Sequence, residues 1–92
     1  MEKLRKYCRS QSVDEQKVGE RCVLYHRESG KALVLNPTGS LIWALLTSLS
    51  TPSDLAQQLQ AKFPSLESQQ ALFDVSTFIN DLQQHDLVLV EE

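Results

Sequence analysis

The side chains that most often carry nucleophilic or metal chemistry are few in this chain and widely spaced. The two cysteines, Cys8 and Cys22, form no CxxC pair, and His26 and His85 belong to no ligand motif. The 92 residues contain three glycines, too few for a phosphate-binding loop, and no G-x-S-x-G or paired-carboxylate motif. These patterns predict no metal, no cofactor and no catalysis by this chain alone.

The first 35 residues contain three short segments that are typical of strands. The polar residues 11–20 between the first two are predicted to form a loop, and Gly30 lies in a turn that makes the last two a hairpin. Both thiols are expected to be free, and a disulfide could form only if the first two strands paired so that Cys8 faced Cys22. The predicted strands are residues 5–10, 21–26 and 31–35.

Three helices and a short strand are predicted for the rest of the chain. Asn36 and Pro37 begin the first helix, Thr51 to Asp54 resemble a capping box that begins the second, and Pro64 ends it. The third helix runs from about 66 to 84, entered through Ser65 or Ser68, and residues 87–90 form the strand. The apolar positions assigned to the core are 42, 45, 46 and 49, then Leu55, Leu59 and Phe63, then Ala71, Leu72, Val75, Phe78, Ile79 and Leu82.

This order of elements predicts the fold class. It describes an α+β, winged-helix-like domain: an N-terminal three-stranded antiparallel sheet, three helices and a short C-terminal strand. With 92 residues there is room for one core, so residues 1–92 are expected to form a single domain. The longest apolar run, Leu41–Leu46, is far too short to span a bilayer, and the charged N-terminus lacks a signal-peptide core. A cytoplasmic protein is predicted.

Charge is distributed unevenly along the chain. Residues 1–31 hold eight basic and five acidic residues, a net of +3, whereas residues 32–92 hold one base against seven acids, a net of −6. A winged helix that reads DNA places its third helix in the major groove, yet that helix has Asp74 and Asp81 and no base. DNA regulation is therefore the alternative, and no nucleic-acid partner is expected.

Two motifs, taken in order and at their spacing, resemble the PqqD-like family of precursor-peptide recognition elements. The first joins a strand through Leu35-Asn36-x-Thr38-Gly39 to Trp43, and the second is Asp74-Val75-x-x-Phe78-x-x-x-Leu82, followed by Leu87. Two departures stand out: Asp86 replaces the Gly that often precedes the final Leu, and a Tyr-Pro-Glu segment near the third strand is missing. The resemblance therefore favours a relative that serves a lasso or radical-modified peptide over one in the quinone pathway.

The resemblance implies a binding site between the third strand and the last helix. Family members capture a leader peptide as an added β-strand there, and an edge strand has unpaired N–H and C=O groups for this purpose. We expect Leu33 and Leu35 to be buried and Ala32 and Val34 to line the groove, unless the strand is buried on both faces. The predicted peptide-binding residues are Lys31, Ala32, Leu33, Val34, Leu35, Phe73, Asp74, Thr77 and Asn80.

Phe73 is the helix residue least compatible with the core, because it lies opposite the apolar sector. It is either a lone exposed aromatic or an anchor for an apolar leader side chain. The function implied is a non-catalytic chaperone that binds a leader peptide and presents it to a modifying enzyme, such as a radical SAM enzyme or a leader peptidase. A homodimer that pairs through the edge strand is a further possibility.

Overall fold

The computed structural model describes residues 5–19 and 21–91. Most of the N-terminal segment used to argue against a signal peptide, residues 1–4, lies outside them, as do Glu20 and Glu92. The elements are β1 (Lys6–Arg9), β2 (Val13–Val18), β3 (Arg21–His26), β4 (Ala32–Leu35), α1 (Pro37–Leu45), α2 (Pro52–Lys62), α3 (Ser68–Gln84) and β5 (Val88–Glu91). The predicted α+β class, with a three-stranded antiparallel sheet, three helices and a C-terminal strand, is confirmed.

The three-stranded sheet has the order β2-β3-β4, so one of its strands comes from the predicted loop 11–20. That loop prediction was wrong. Val13–Val18 pairs antiparallel with β3 along its whole length, from Val13 opposite His26 to Val18 opposite Arg21. Its side chains are largely exposed on both faces, so the sequence lacks the apolar alternation that normally indicates a strand.

The first predicted strand is present as β1, but it pairs with β5 in a separate two-stranded sheet. Tyr7 also exchanges backbone hydrogen bonds of 2.7 and 2.9 Å with Ser50, which covers part of the other edge of β1. Cys8 therefore lies opposite Leu89, and Cys22 lies in the other sheet opposite Leu35. Both thiols are free, so the conditional disulfide is not formed.

The first two helices begin where their capping residues predict. Asn36 Oδ1 accepts a hydrogen bond of 2.6 Å from the Gly39 N–H, and Pro37 occupies the first turn of α1. The Thr51 hydroxyl accepts from the Asp54 N–H while the Asp54 carboxylate accepts from the Thr51 N–H, which is the predicted capping box. In contrast, α3 begins after Glu67, which makes no side-chain capping bond, and not after Ser65 or Ser68.

Most of the core assignments hold. Ile42, Leu46, Leu55, Leu59, Val75 and Leu82 are at most 1% exposed. Three predicted core residues are exposed instead: Leu49 lies beyond the end of α1, Phe63 ends α2, and Leu72 points away from the core in the second turn of α3. The predicted apolar faces therefore extended one residue too far along α1 and α2 and were too wide on α3, because helical periodicity does not show where the packing partner ends.

The C-terminus of α3 forms a Schellman turn. The Leu87 N–H donates to the Leu82 carbonyl at 2.9 Å, and the Asp86 N–H donates to the Gln83 carbonyl at 3.2 Å. Asp86 has φ 58°, the left-handed conformation expected at the position where the family often has Gly. Leu82 and Leu87 are both fully buried, so the turn directs the chain from α3 into β5.

An ionic and aromatic cluster joins β1, β2 and α1. The Arg9 guanidinium lies 4.5 Å from the centroid of the Trp43 ring and donates to the Trp43 carbonyl oxygen. The Trp43 indole N–H donates to Glu15 Oε1 at 2.6 Å, and Arg9 pairs with the same carboxylate at 3.3 Å. These contacts hold the polar strand β2 against the helical layer. Within residues 5–19 and 21–91, no helix has the length and apolar character needed to cross a bilayer.

Candidate functional site

One edge of the main sheet, along β4, has backbone groups that point away from β3. The His26 N–H donates to the Lys31 carbonyl oxygen at 2.8 Å, so 26 and 31 form a hydrogen-bonded pair. Hydrogen-bonded pairs alternate in an antiparallel ladder, so Leu33 and Leu35 also bond to β3. The N–H and C=O groups of Ala32 and Val34 therefore face outward, and these four groups can accept a further strand.

The side chains of β4 alternate between the two faces of the sheet. Leu35 is buried and Leu33 half-buried on the face covered by the helices, whereas Ala32 and Val34 are exposed on the outer face. Val34 lies directly opposite Val23 there. Neighbouring strands place adjacent residues on the same face, so side chains of an added strand beside Leu33 and Leu35 would point towards the helices.

Helix α3 runs alongside β4 in the opposite direction. At one end, Lys31 Nζ lies 3.1 Å from Asp86 Oδ2 and 3.4 Å from the Gln84 carbonyl oxygen. At the other end, an ideal Cβ on Gly39, which follows β4 in the first turn of α1, would lie 3.1 Å from Phe78 Cε1. A strand added to β4 would therefore lie next to the exposed side of α3.

A cleft of about 200 Å³ opens at the Gly39 end of this region. On the order of seven waters fill such a volume, which corresponds to one long side chain. Phe73, which is 65% exposed, stands at the cleft, while the largely buried Ile42 and Phe78 supply its apolar part. The cleft is lined by Asn36, Thr38, Gly39, Ile42, Phe73, Asp74, Thr77, Phe78 and Asp81.

The close approach of α1 to α3 depends on Gly39. Its missing side chain leaves room for both the Asn36 cap and the Phe78 ring, since an added Cβ would lie 3.1 Å from each. The Asn-x-Thr-Gly sequence therefore places a helix start, with the exposed Thr38, directly against α3. This explains locally why the cleft forms where β4 ends.

The cleft is acidic. Asp74 and Asp81 are seven residues apart, which places both on one face of α3 about 10 Å apart along the axis. Gln70 Nε2 donates to Asp74 Oδ1 at 2.8 Å and fixes one oxygen of that carboxylate. Among the described residues that line the cleft, none is Lys or Arg.

A second depression of about 350 Å³ adjoins the cleft. It shares Thr38 and Asp74 with the cleft and continues towards the end of α2, where it is lined by Leu59, Phe63, Ser65 and Leu66. Phe63 is 44% exposed there. The surface beyond β4 thus changes from acidic to apolar across the Thr38–Asp74 boundary.

The structure brings together only part of the predicted site. Phe73, Asp74 and Thr77 line the cleft, whereas Asn80 is exposed on α3 and is not among its lining residues. Val34 lines a different depression, on the outer face with Arg21, Asn36 and Pro37, so it does not share a pocket with Phe73. Lys31 is paired with Asp86, and Ala32, Leu33 and Leu35 form the strand as described above.

Six lining residues were not in the predicted site: Asn36, Thr38, Gly39, Ile42, Phe78 and Asp81. The signal for Asp81 was its spacing from Asp74, two helical turns further along the same face. The other five are motif or core residues, whose patterns predict only a helix start or a buried position.

Fold and site define a small winged-helix-like domain with an open strand edge beside a cleft. Residues 21–88 match the family model described as coenzyme PQQ synthesis protein D (PqqD), so the chain belongs to the PqqD family. No curated protein matches the chain.

Two solved structures share the fold. TbiB1 in complex with the TbiA(beta) leader peptide has a TM-score of 0.73 at 24% identity, covering 88% of this chain and 93% of that one. A lasso peptide synthetase B1 complexed with the leader peptide has a TM-score of 0.74 at 24% identity, covering 90% of this chain and 96% of that one.

Proposed function

We propose that this chain binds the leader segment of a ribosomally made precursor peptide as a strand added to β4. The observation that carries the proposal is the free edge at Ala32 and Val34, next to a cleft that Phe73 and Asp74 line. Membership of the PqqD family and the two leader-peptide complexes that share the fold support it.

In this proposal the domain is not catalytic and residues 1–92 act as one recognition module. It presents the bound precursor in the cytoplasm to a separate modifying enzyme, such as a radical SAM enzyme or a leader peptidase. The free edge of β4 also offers a route to a homodimer, which leader binding would disrupt by competing for the same groups.

Backbone pairing alone is too weak for this role. Four hydrogen bonds at about 0.5–1.5 kcal/mol each contribute roughly 2–6 kcal/mol, whereas micromolar affinity needs about 8 kcal/mol. An exposed aromatic such as Phe73 has on the order of 130 Å² left to bury, which contributes about 3 kcal/mol at ~25 cal/mol per Å². The two together only just reach micromolar affinity before the peptide's ordering is counted, so other side chains must contribute.

Two substitutions with matched controls test the proposal. Val34→Asp places a charge beside the added strand, and Phe73→Ala removes the anchor; each is expected to weaken binding of the leader of a small precursor encoded beside this chain at least tenfold. Val18→Asp, on the other edge of the sheet, and Leu72→Ala, on α3 outside the cleft, should leave affinity unchanged. If Val34→Asp and Phe73→Ala both bind like the unsubstituted protein in isothermal titration calorimetry, the groove is wrong.

The DNA-binding alternative is not favoured. Helix α3 has no basic residue, and its exposed side carries Asp74 and Asp81 next to the cleft. A duplex would meet like charge at the element that should read it.

A further inference from the structure

The chemistry of the surface beyond β4 constrains the sequence of the peptide, provided that the proposed function holds. An added strand presents every second side chain to the helices, beside Leu33 and Leu35. Those positions approach the part of α3 that carries Asp81, Thr77 and Asp74, since α3 runs opposite to β4. An inward-facing side chain is therefore the one that enters the cleft.

The cleft favours a long basic side chain. Asp74 and Asp81 supply two carboxylates without a basic lining residue, and Gln70 occupies only Oδ1 of Asp74. An acidic or short apolar side chain would leave both carboxylates partly desolvated and without a cationic partner. A Lys or Arg stem can lie along the Phe73 ring while its charged end reaches a carboxylate.

The adjoining depression favours a bulky apolar side chain. Phe63 is 44% exposed and stands with Leu59 and Leu66 on the far side of the Thr38–Asp74 boundary. The depression adjoins the cleft at Thr38 and Asp74, and Thr38 lies in the first turn of α1, so a peptide that leaves the edge of β4 and passes the start of α1 comes next to it. The occupant of both pockets would then be a single continuous chain.

We propose that this domain recognises a leader whose strand segment has an inward-facing Lys or Arg in the Asp74–Asp81 cleft and, beyond the end of β4, a bulky apolar residue against Phe63. Proteins that share this groove but lack either pocket would select different leaders, because side-chain pockets set the specificity of strand addition while the backbone supplies affinity.

The first test is a selection from a displayed library of random peptides on the immobilised full chain. Enrichment of Lys or Arg at one position and of Leu, Ile, Phe, Tyr or Trp at a second, fixed distance from it, is the expected result. Peptides that bind at β4 without a basic residue would overturn the inference and leave the proposed function intact. Failure to enrich any peptide, or binding that protects no β4 amide, would count against the proposed function itself.

The second test uses one enriched peptide and two pairs of variants. Asp81→Asn should weaken binding about tenfold at ~0.1 M salt and much less at ~1 M salt, where the Debye length falls to about 3 Å. Glu67→Gln makes the same charge change outside the cleft and should have no effect. If Asp81→Asn and Glu67→Gln weaken binding equally, Asp81 acts only through the net charge of the protein. That result would refute the proposal that the cleft binds a basic side chain.

Phe63→Ala should weaken binding of the same peptide about tenfold, independently of salt. Leu72→Ala removes an apolar side chain of nearly equal exposure, 45%, that does not line either pocket. A peptide in which the apolar residue is replaced by Ser should bind the Phe63→Ala variant and the unsubstituted protein equally. A further loss of affinity in that combination would show that the two residues do not meet.

Discussion

A proline at position 34 would distinguish the hydrogen bonds that β4 makes to β3 from those that it would make to an added strand. The Val34 N–H faces the free edge, so Val34→Pro removes a donor for the added strand but no donor of the β3–β4 ladder. The preceding residue, Leu33, is already extended, which is the conformation that a following proline requires.

The loss of peptide affinity should exceed that of one hydrogen bond. The missing N–H removes about 0.5–1.5 kcal/mol, and the ring at the edge also obstructs the neighbouring bond, so the sum is roughly 1–3 kcal/mol. This corresponds to about 5- to 150-fold weaker binding. The substitution also removes the Val34–Val23 side-chain pair and imposes a less favourable φ, which together lower the free energy of unfolding by about 1–2 kcal/mol.

Fluorescence anisotropy with a labelled leader peptide measures the affinity, and urea unfolding measures the stability. Val34→Thr keeps the N–H and the β-branch, so its Kd should be within threefold of that of the unsubstituted protein. This is a difference in binding free energy on the order of 0.6 kcal/mol. Lys17→Pro is the matched control, because the Lys17 N–H faces outward on the opposite edge, along β2. If the Val34→Pro variant stays folded and binds the leader peptide as tightly as the Lys17→Pro variant, strand addition at β4 is refuted.

Three further predictions concern stability. Gly39→Ala should lower the free energy of unfolding by about 1 kcal/mol, because crowding against Asn36 and Phe78 outweighs the helix propensity of Ala; a higher Tm would contradict this. Asp86→Gly should raise Tm by about 2–8 °C, because relieving the left-handed φ stabilises the fold more than the loss of the weak, exposed ion pair with Lys31 destabilises it. Asp86→Ala should not raise Tm, and a lower Tm in the Gly variant would refute the prediction. Burial, and secondarily the charge of Glu15, raises the pKa of the Cys22 thiol, so its contribution to stability is complete below the unfolded pKa of about 8.5 and decreases as pH rises through the folded pKa. Urea unfolding at increasing pH should show a steeper loss of stability in the unsubstituted protein than in Cys22→Ala. Identical slopes in the two proteins would contradict this prediction.

The helical half of the fold was predictable because its signals are local. Asn36, Thr51 and Pro37 fix helix starts by capping chemistry that involves only the next three residues. The left-handed turn at Asp86 was implied by the family resemblance, because family members often have Gly at this position. In contrast, β2 consists of polar residues whose strand conformation is determined by pairing with β3 and by the contact of Glu15 with Trp43, neither of which the local sequence shows.

The sequence predicted the elements that form the candidate site, but not which of their side chains share a pocket. Alternation along β4 gave the two faces correctly, because Leu33 and Leu35 are covered and Val34 is exposed. The sequence could not show that Val34 and Phe73 lie in different depressions, since that depends on the distance between β4 and α3. Nor could it show that Thr38 and Asp81 meet at one cleft, which Gly39 makes possible by allowing α1 to approach Phe78.

Amide hydrogen exchange, followed by NMR with and without a saturating leader peptide, is the most direct measurement. Strand addition to β4 predicts that the amides of Ala32 and Val34 become protected on binding, while those of Leu33 and Leu35 are protected already. Chemical-shift changes should accompany this along α3 from Phe73 to Asp81. Protection at Val13–Val18 or Val88–Glu91 instead, or no change at millimolar peptide, would contradict the proposed binding mode.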